Sequence, residues 1–202
     1  MLARFLLVLC LLLSAATHAA PVVLVFGDSL SAAYGIPRES GWVHRLEQRL
    51  AQEKFAHRVI NASISGETTA GGRSRIEDTL AQHRPAIVIV ELGANDGLRG
   101  LPLAAMQENL EAVIAACRRH RARVLLVGLQ LPPNYGIAYA QKFQDVYGQL
   151  AKRHKLGMVP FLLDGFADNR ELFQADNLHP TAQAQPLMLE NVWPALRPLL
   201  KR

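Results

Sequence analysis

The chain has 202 residues, half of them hydrophobic, with a formal net charge of +5, which excludes a disordered or low-complexity scaffold and allows one domain with a sizeable core. Its basic residues are spread along predicted helix surfaces, densest at Arg118-Arg119-His120-Arg121 and Lys152-Arg153-His154-Lys155, where cations suit a helix C-terminus. Without aromatic or groove-reading support beside them, no nucleic-acid partner is expected.

Arg4 gives a positive start, Phe5 to Leu13 an apolar core, and Ser14 to Ala20 a small-residue exit. Residues 1–20 are therefore predicted to be a signal-peptide region, cut after Ala19 in preference to Ala20, and too short to remain as a membrane span. The protein is expected to be exported, periplasmic or secreted, with residues 21–202 as one domain. Of the two cysteines, Cys10 lies in the leader, so no internal disulfide can form. Cys117 falls in the helical stripe of Leu103, Met106, Leu110, Val113 and Ile114, the place of a core residue.

Val22 to Phe26 is an unbroken apolar run, the pattern of a strand buried on both faces, and Gly27-Asp28-Ser29-Leu30 follows where the chain must leave the sheet. Ser29 there is either a nucleophile presented on a turn or the cap of a following helix. A helix is predicted from Trp42 to Lys54, a short strand over His57 to Asn61, and a Ser/Gly/Thr-rich loop over Ser63 to Gly72. Next come a helix from Arg73 to His83, a strand over Ile87 to Val90, and the turn Gly93-Ala94-Asn95-Asp96-Gly97. The clearest helix is Pro102 to His120, followed by a strand over Arg123 to Leu129. A loop with two prolines, Leu131 to Gly136, precedes a helix from Ile137 to Lys155. Met158-Val159-Pro160 begins a fifth strand, 164–178 reads as irregular or weakly helical, and Pro186 to Leu199 as a last helix bent at Pro194. Apolar strands alternating with amphipathic helices imply α/β architecture, a three-layer αβα sandwich with about five parallel strands and flavodoxin-like winding. Ligands in such sheets bind beyond the carboxyl ends of the strands.

The loops at those ends carry the chemistry. Five of the six histidines outside the leader, His44, His57, His83, His120 and His154, stand near Arg or Lys in polar stretches and read as solvated. His179 alone lies in a C-terminal loop, in Asp176-Asn177-Leu178-His179. That spacing lets Asp176 fold back on the imidazole and orient it toward Ser29 as a base, although Asp-x-x-His also occurs as a metal pair or a plain loop hydrogen bond. Acyl transfer needs oxyanion donors as well, and the Ser29 and Gly66 N–H groups and the Asn95 amide are placed to supply them.

Gly27-Asp28-Ser29-Leu30, Gly66, Gly93-Ala94-Asn95-Asp96 and Asp176-Asn177-Leu178-His179 resemble, in order, the four motif blocks of the SGNH, or GDSL, hydrolases. Within that family the chain looks most like the periplasmic group of multifunctional acyl-CoA thioesterase I/lysophospholipases, through Leu92 to Gly100, Leu131 to Gly136 and His179 to Pro186. Ala94 departs from that pattern, where a second glycine is expected. The resemblance implies Ser29 as nucleophile, His179 as base, Asp176 as its orienter, and Ser29, Gly66 and Asn95 as the oxyanion hole. It also implies hydrolysis of fatty acyl esters and thioesters, lysophospholipids and aryl esters among them, without metal or organic cofactor, by a monomer. Leu98, Leu101, Pro132, Tyr135 and Ile137 put more apolar surface on the loops after strands three and four than solvent-facing loops need, and are expected to flank Ser29 as an acyl groove.

Three other readings compete. A metal-dependent phosphoesterase could use Asp28, Asp96, Asp176 and His179, although such sites usually want more than one histidine. A flavodoxin-like phosphate-binding module would want Gly-x-Gly-x-x-Gly or a P-loop lysine, which the first loop lacks. A carbohydrate acetylesterase would keep the chemistry and change the acyl group.

Overall fold

A parallel sheet of five strands in the order β2-β1-β3-β4-β5 organises the chain. The computed structural model describes residues 20–200, so the expected leader, apart from residue 20, lies outside the described residues. The strands are β1 (Val22–Gly27), β2 (Arg58–Asn61), β3 (Ile87–Glu91), β4 (Arg123–Val127) and β5 (Gly157–Val159). β1 and β3 are buried along their whole length, as their unbroken apolar runs require. The register sets Val23 beside Val59 on one side and Ile87 on the other.

The chain leaves β1 outward to β2 and returns past it to β3, so the winding reverses between β1 and β3. With right-handed crossovers, this puts α1 (Trp42–Gln52) and α6 (Gln185–Leu196) on one face. α2 (Thr69–His83), α4 (Leu103–Arg119) and α5 (Ile137–His154) lie on the other. α1 buries Trp42, Val43, Leu46 and Leu50, and docks on α6 through the Trp42 N–H to Gln185 Oε1 at 3.0 Å. α4 buries Met106, Leu110, Val113, Ile114 and Cys117, and burial pushes the Cys117 thiol up to about 12. Among the described residues no helix is long and apolar enough to cross a membrane.

Four local readings change. α2 begins at Thr69 rather than Arg73, with the Thr68 side chain accepting the Gly71 N–H at 3.3 Å as its cap. The glycines that suggested a loop permit close packing instead, since a Cβ at Gly72 would stand 2.5 Å from Leu92 Cδ1. The turn after β3 is a short helix, α3 (Ala94–Leu98). α6 begins at Gln185 and ends at Leu196, where the expected last turn tightens into a 3-10 turn over Arg197–Leu199. His57 is not solvated but buried, at 7 % exposure, with its ring edge-on to Phe55; burial first, and Arg123 second, hold its pKa down. A histidine beside an arginine in sequence was no guide to exposure, because His57 immediately precedes β2.

Candidate active site

β1 delivers Ser29 at the reversal point. Beyond Gly27 the chain turns tightly: Ser31 and Ala32 N–H donate to the Asp28 carbonyl at 3.2 and 2.9 Å, and Leu30 N–H donates to Asp28 Oδ1 at 3.0 Å. Asp28, fully buried, is therefore the group that caps the turn. The Ser29 side chain does not cap this turn; its Oγ lies 2.9 Å from His179 Nε2.

His179 comes from the far end of the chain. After β5 the backbone makes a 3-10 turn at Arg170–Leu172 and an isolated antiparallel bridge between Phe173 and Pro180. This bridge closes the loop that holds Asp176 and His179, and Gln174 N–H donates to the His179 carbonyl at 2.8 Å. The Gln174 amide ties that loop to the nucleophile side, donating to the Tyr34 carbonyl at 2.8 Å and the Pro180 carbonyl at 3.2 Å. Asp176 Oδ1 accepts the Leu178 and His179 N–H groups at 2.9 and 3.0 Å, and Oδ2 accepts His179 Nδ1–H at 2.7 Å. A carboxylate can only accept, so the neutral ring carries its proton on Nδ1 and turns the Nε2 lone pair to the Ser29 hydroxyl. Partial burial opposes ionisation of Asp176, but these hydrogen bonds outweigh it and bring its pKa down to about 2. The half-exposed Tyr34 ring covers the imidazole, 4.4 Å between centroids.

The three expected oxyanion donors differ in state. Among the described residues the Ser29 and Gly66 N–H groups have no protein acceptor. Gly66 holds φ +80°, and the nearest atom to an added Cβ would be Arg99 Nη2 at 3.8 Å, so the backbone conformation rather than space selects glycine. The Asn95 amide donates to Asp28 Oδ2 at 3.1 Å and to the Glu67 carbonyl at 3.0 Å.

The groove residues are brought together in part. Tyr135 O–H donates to the Leu98 carbonyl at 3.1 Å, joining the loops after β3 and β4, and Leu98 and Tyr135 pack against the core. Pro132 is half-buried, Leu101 is exposed at the rim, and Ile137 stands in solvent at 87 % exposure. A recess of about 430 Å³ lies on the opposite flank of the nucleophile turn, against α1 and β2, lined by Ser31, Ala33, Arg38, His44, Asn61 and Ser63 among others. Nothing in the residue pattern pointed to it.

Asp96, a ligand in the metal reading, accepts the Thr69 N–H at 2.8 Å and the Thr69 hydroxyl at 2.6 Å, fixing the start of α2. Among the described residues no three His, Cys, Asp or Glu side chains converge as a metal cluster. Sequence reasoning missed Glu91, Gln174 and Tyr34. Glu91 carried a signal, as the one charged residue of an otherwise apolar strand.

The sequence profile of the GDSL-like lipase/acylhydrolase family matches residues 25–186. The chain belongs to this family. It is 50 % identical over 192 residues to the esterase TesA of Pseudomonas aeruginosa, covering 95 % of this chain and 96 % of that one. It is 36 % identical over 189 residues to thioesterase 1/protease 1/lysophospholipase L1 of Escherichia coli K12, covering 94 % and 89 %. The crystal structure of the psychrotrophic esterase EstA from Pseudoalteromonas, inhibited by monoethylphosphonate, superposes with a TM-score of 0.84 at 38 % identity, covering 88 % of this chain and 97 % of that one. The chain is an ester hydrolase on a five-stranded SGNH-type α/β fold.

Proposed function

We propose that the chain is a serine esterase and thioesterase that cleaves fatty acyl groups from small esters, including lysophospholipids and aryl esters, through an acyl-enzyme on Ser29. Ser29 Oγ bonds to the substrate carbonyl carbon as its proton passes to His179 Nε2, and Asp176 holds the resulting imidazolium. The carbonyl oxygen becomes an oxyanion facing the Ser29 and Gly66 N–H groups, with the Asn95 amide turning one hydrogen to it. Collapse breaks the bond to the alkoxide or thiolate, and either leaving group takes the imidazolium proton, departing as alcohol or thiol and leaving Nε2 free. Water then repeats the sequence, giving its proton to Nε2 and releasing the acid and Ser29 Oγ–H.

The observation that carries this reading is the relay from Ser29 Oγ to His179 Nε2 at 2.9 Å and from Nδ1 to Asp176 at 2.7 Å, beside two uncommitted N–H groups. The thioesterase and lysophospholipase names of the Escherichia coli relative support the acyl substrates. Ala94, half-buried at the first position of α3, bears on which acyl groups fit. The leader-like residues 1–20 support export to the periplasm or beyond, and the reading takes the enzyme as a monomer needing no cofactor. An alkyl phosphonate ester tests it. One phosphonyl group should appear per chain, on Ser29, with esterase activity lost in proportion, and Ser29→Ala should stay folded, unlabelled and inactive. Labelling elsewhere, or an active Ser29→Ala, overturns the reading.

A further inference from the structure

Glu91 ends β3 and is fully buried beneath the nucleophile turn. Its Oε2 accepts the Ser31 hydroxyl at 2.7 Å and the Asp28 N–H at 3.3 Å. The same oxygen lies against Gly27, where an added Cβ would stand 2.6 Å from it. Residues on both sides of Ser29 thus rest on one carboxyl group. Its other oxygen, Oε1, is buried and meets no partner among the described residues.

The ionisable groups that face Glu91 are Asp28, from the turn after β1, and Tyr147, from α5, whose hydroxyl donates to the Leu92 carbonyl at 3.0 Å. Neither is a cation. Two carboxyls sharing an enclosed site do not both ionise, and a buried anion with an oxygen lacking any donor is costly. Asp28 is the better seat for the charge. Burial raises the Asp28 pKa to about 6, still below the working pH, because each of its oxygens receives a separate donor, Leu30 N–H and the Asn95 amide, and His179 favours its anion.

We propose that Glu91 is an uncharged carboxylic acid in the working enzyme, a positioning residue that clamps the nucleophile turn from below and leaves Asp28 as the one anion behind Ser29 and Asn95. Burial, and then the charge of Asp28, hold the Glu91 proton on well above the ordinary carboxylate range. When Glu91 ionises at alkaline pH, a second anion forms against Asp28 and loosens the turn that carries Ser29. The proposal rests on Ser29 being the nucleophile.

Glu91→Gln and Glu91→Leu separate a neutral clamp from a required charge and from simple filling of space. Glu91→Gln preserves an uncharged acceptor for Ser31 and Asp28, and should keep kcat to within about fivefold, the effect of one hydrogen bond. Glu91→Leu removes the acceptor, and should lower kcat by about 10² with KM little changed, as expected when a reacting group is displaced. Three further readouts are independent of this loss. The infrared band of a protonated carboxyl should persist at pH 8 in the wild type and be missing from Glu91→Gln. Stability is present below the ordinary Glu value and declines as pH rises toward the raised one, so the wild-type Tm should fall relative to Glu91→Gln as pH rises. The wild-type kcat/KM should fall along an alkaline limb as Glu91 ionises, and that limb should disappear in Glu91→Gln. The proposal is overturned if Glu91→Gln is as inactive as Glu91→Leu while still phosphonylated at Ser29, if the protonated band is missing at pH 8, or if the alkaline limb is unchanged. Failure of the wild type to label at Ser29 would instead overturn the nucleophile assignment itself.

Discussion

The Asn95 amide nitrogen lies 3.1 Å from Asp28 Oδ2 and 3.0 Å from the Glu67 carbonyl, so both of its hydrogens are engaged before any substrate arrives. To stabilise an oxyanion, Asn95 must turn one of them away from an existing acceptor. The neutral Glu67 carbonyl holds its hydrogen less strongly than the Asp28 carboxylate. Asn95→Ala should therefore lower kcat by about 10²–10³ with little change in KM, because the exchange occurs as the oxyanion forms. Steady-state kinetics on one ester checks this, and a change confined to KM would make Asn95 a binding residue instead.

Asp176, with its pKa at about 2, stays anionic throughout the working range. Its depressed value gives stability that is present above the ordinary 3.8 and lost only as pH falls through about 2. An acidic limb of kcat/KM above pH 4 must then belong to another group, and His179 must be neutral to act as base. Asp176→Asn keeps an oxygen for the Leu178 and His179 N–H groups, so the loop should survive while kcat falls by on the order of 10³–10⁴. Thermal melts set beside a pH–rate profile separate loss of fold from loss of catalysis.

Gln174 is the tie between base and nucleophile loops. Gln174→Ala should cost about 10–10² in kcat at nearly constant KM, since a small misplacement of His179 suffices. Phosphonate labelling of Ser29 should slow by the same factor. Unchanged labelling would mean the bridge of Phe173 to Pro180 holds the loop unaided.

The acyl chain is expected along Leu98, Leu101 and Tyr135, where the Tyr135 hydroxyl fastens one loop to the other. Each methylene buried there should raise kcat/KM up to about fourfold until the surface is covered. Leu101→Ala and Tyr135→Ala should flatten that series across p-nitrophenyl esters from acetate to decanoate. If the series is flat in the wild type, or neither substitution alters it, the chain lies elsewhere, and the recess beside Arg38 and His44 becomes the place to substitute next.

The sheet was legible because a strand covered on both faces can be made only of apolar residues, and Val22–Phe26 and Ile87–Val90 meet that demand without help. The order of the loops then brought Ser29, Gly66, Asn95 and His179 to one edge. What stayed hidden depended on contacts between distant elements. Gly72 looked like a loop residue because its reason for being glycine is Leu92, just past the end of β3. His57 looked solvated because its burial comes from Phe55 and the packing around β2. The tie from Gln174 to Tyr34 was equally silent, and Glu91, though conspicuous as a charge in an apolar strand, did not name its partners, since Tyr34 and the turn after β1 lie far away in sequence.

Ser29 and His179, its base in the proposed mechanism, are separated by 150 residues, and His179 arrives on a loop secured only after β5. A ribosome makes β1 early and His179 near the end. Until residues 170–180 emerge and dock, Ser29 has no group to take its proton, and the growing chain bears an inert hydroxyl. On the proposed mechanism the order of manufacture acts as a safety catch: a partly made copy lacks the group that attack by Ser29 requires.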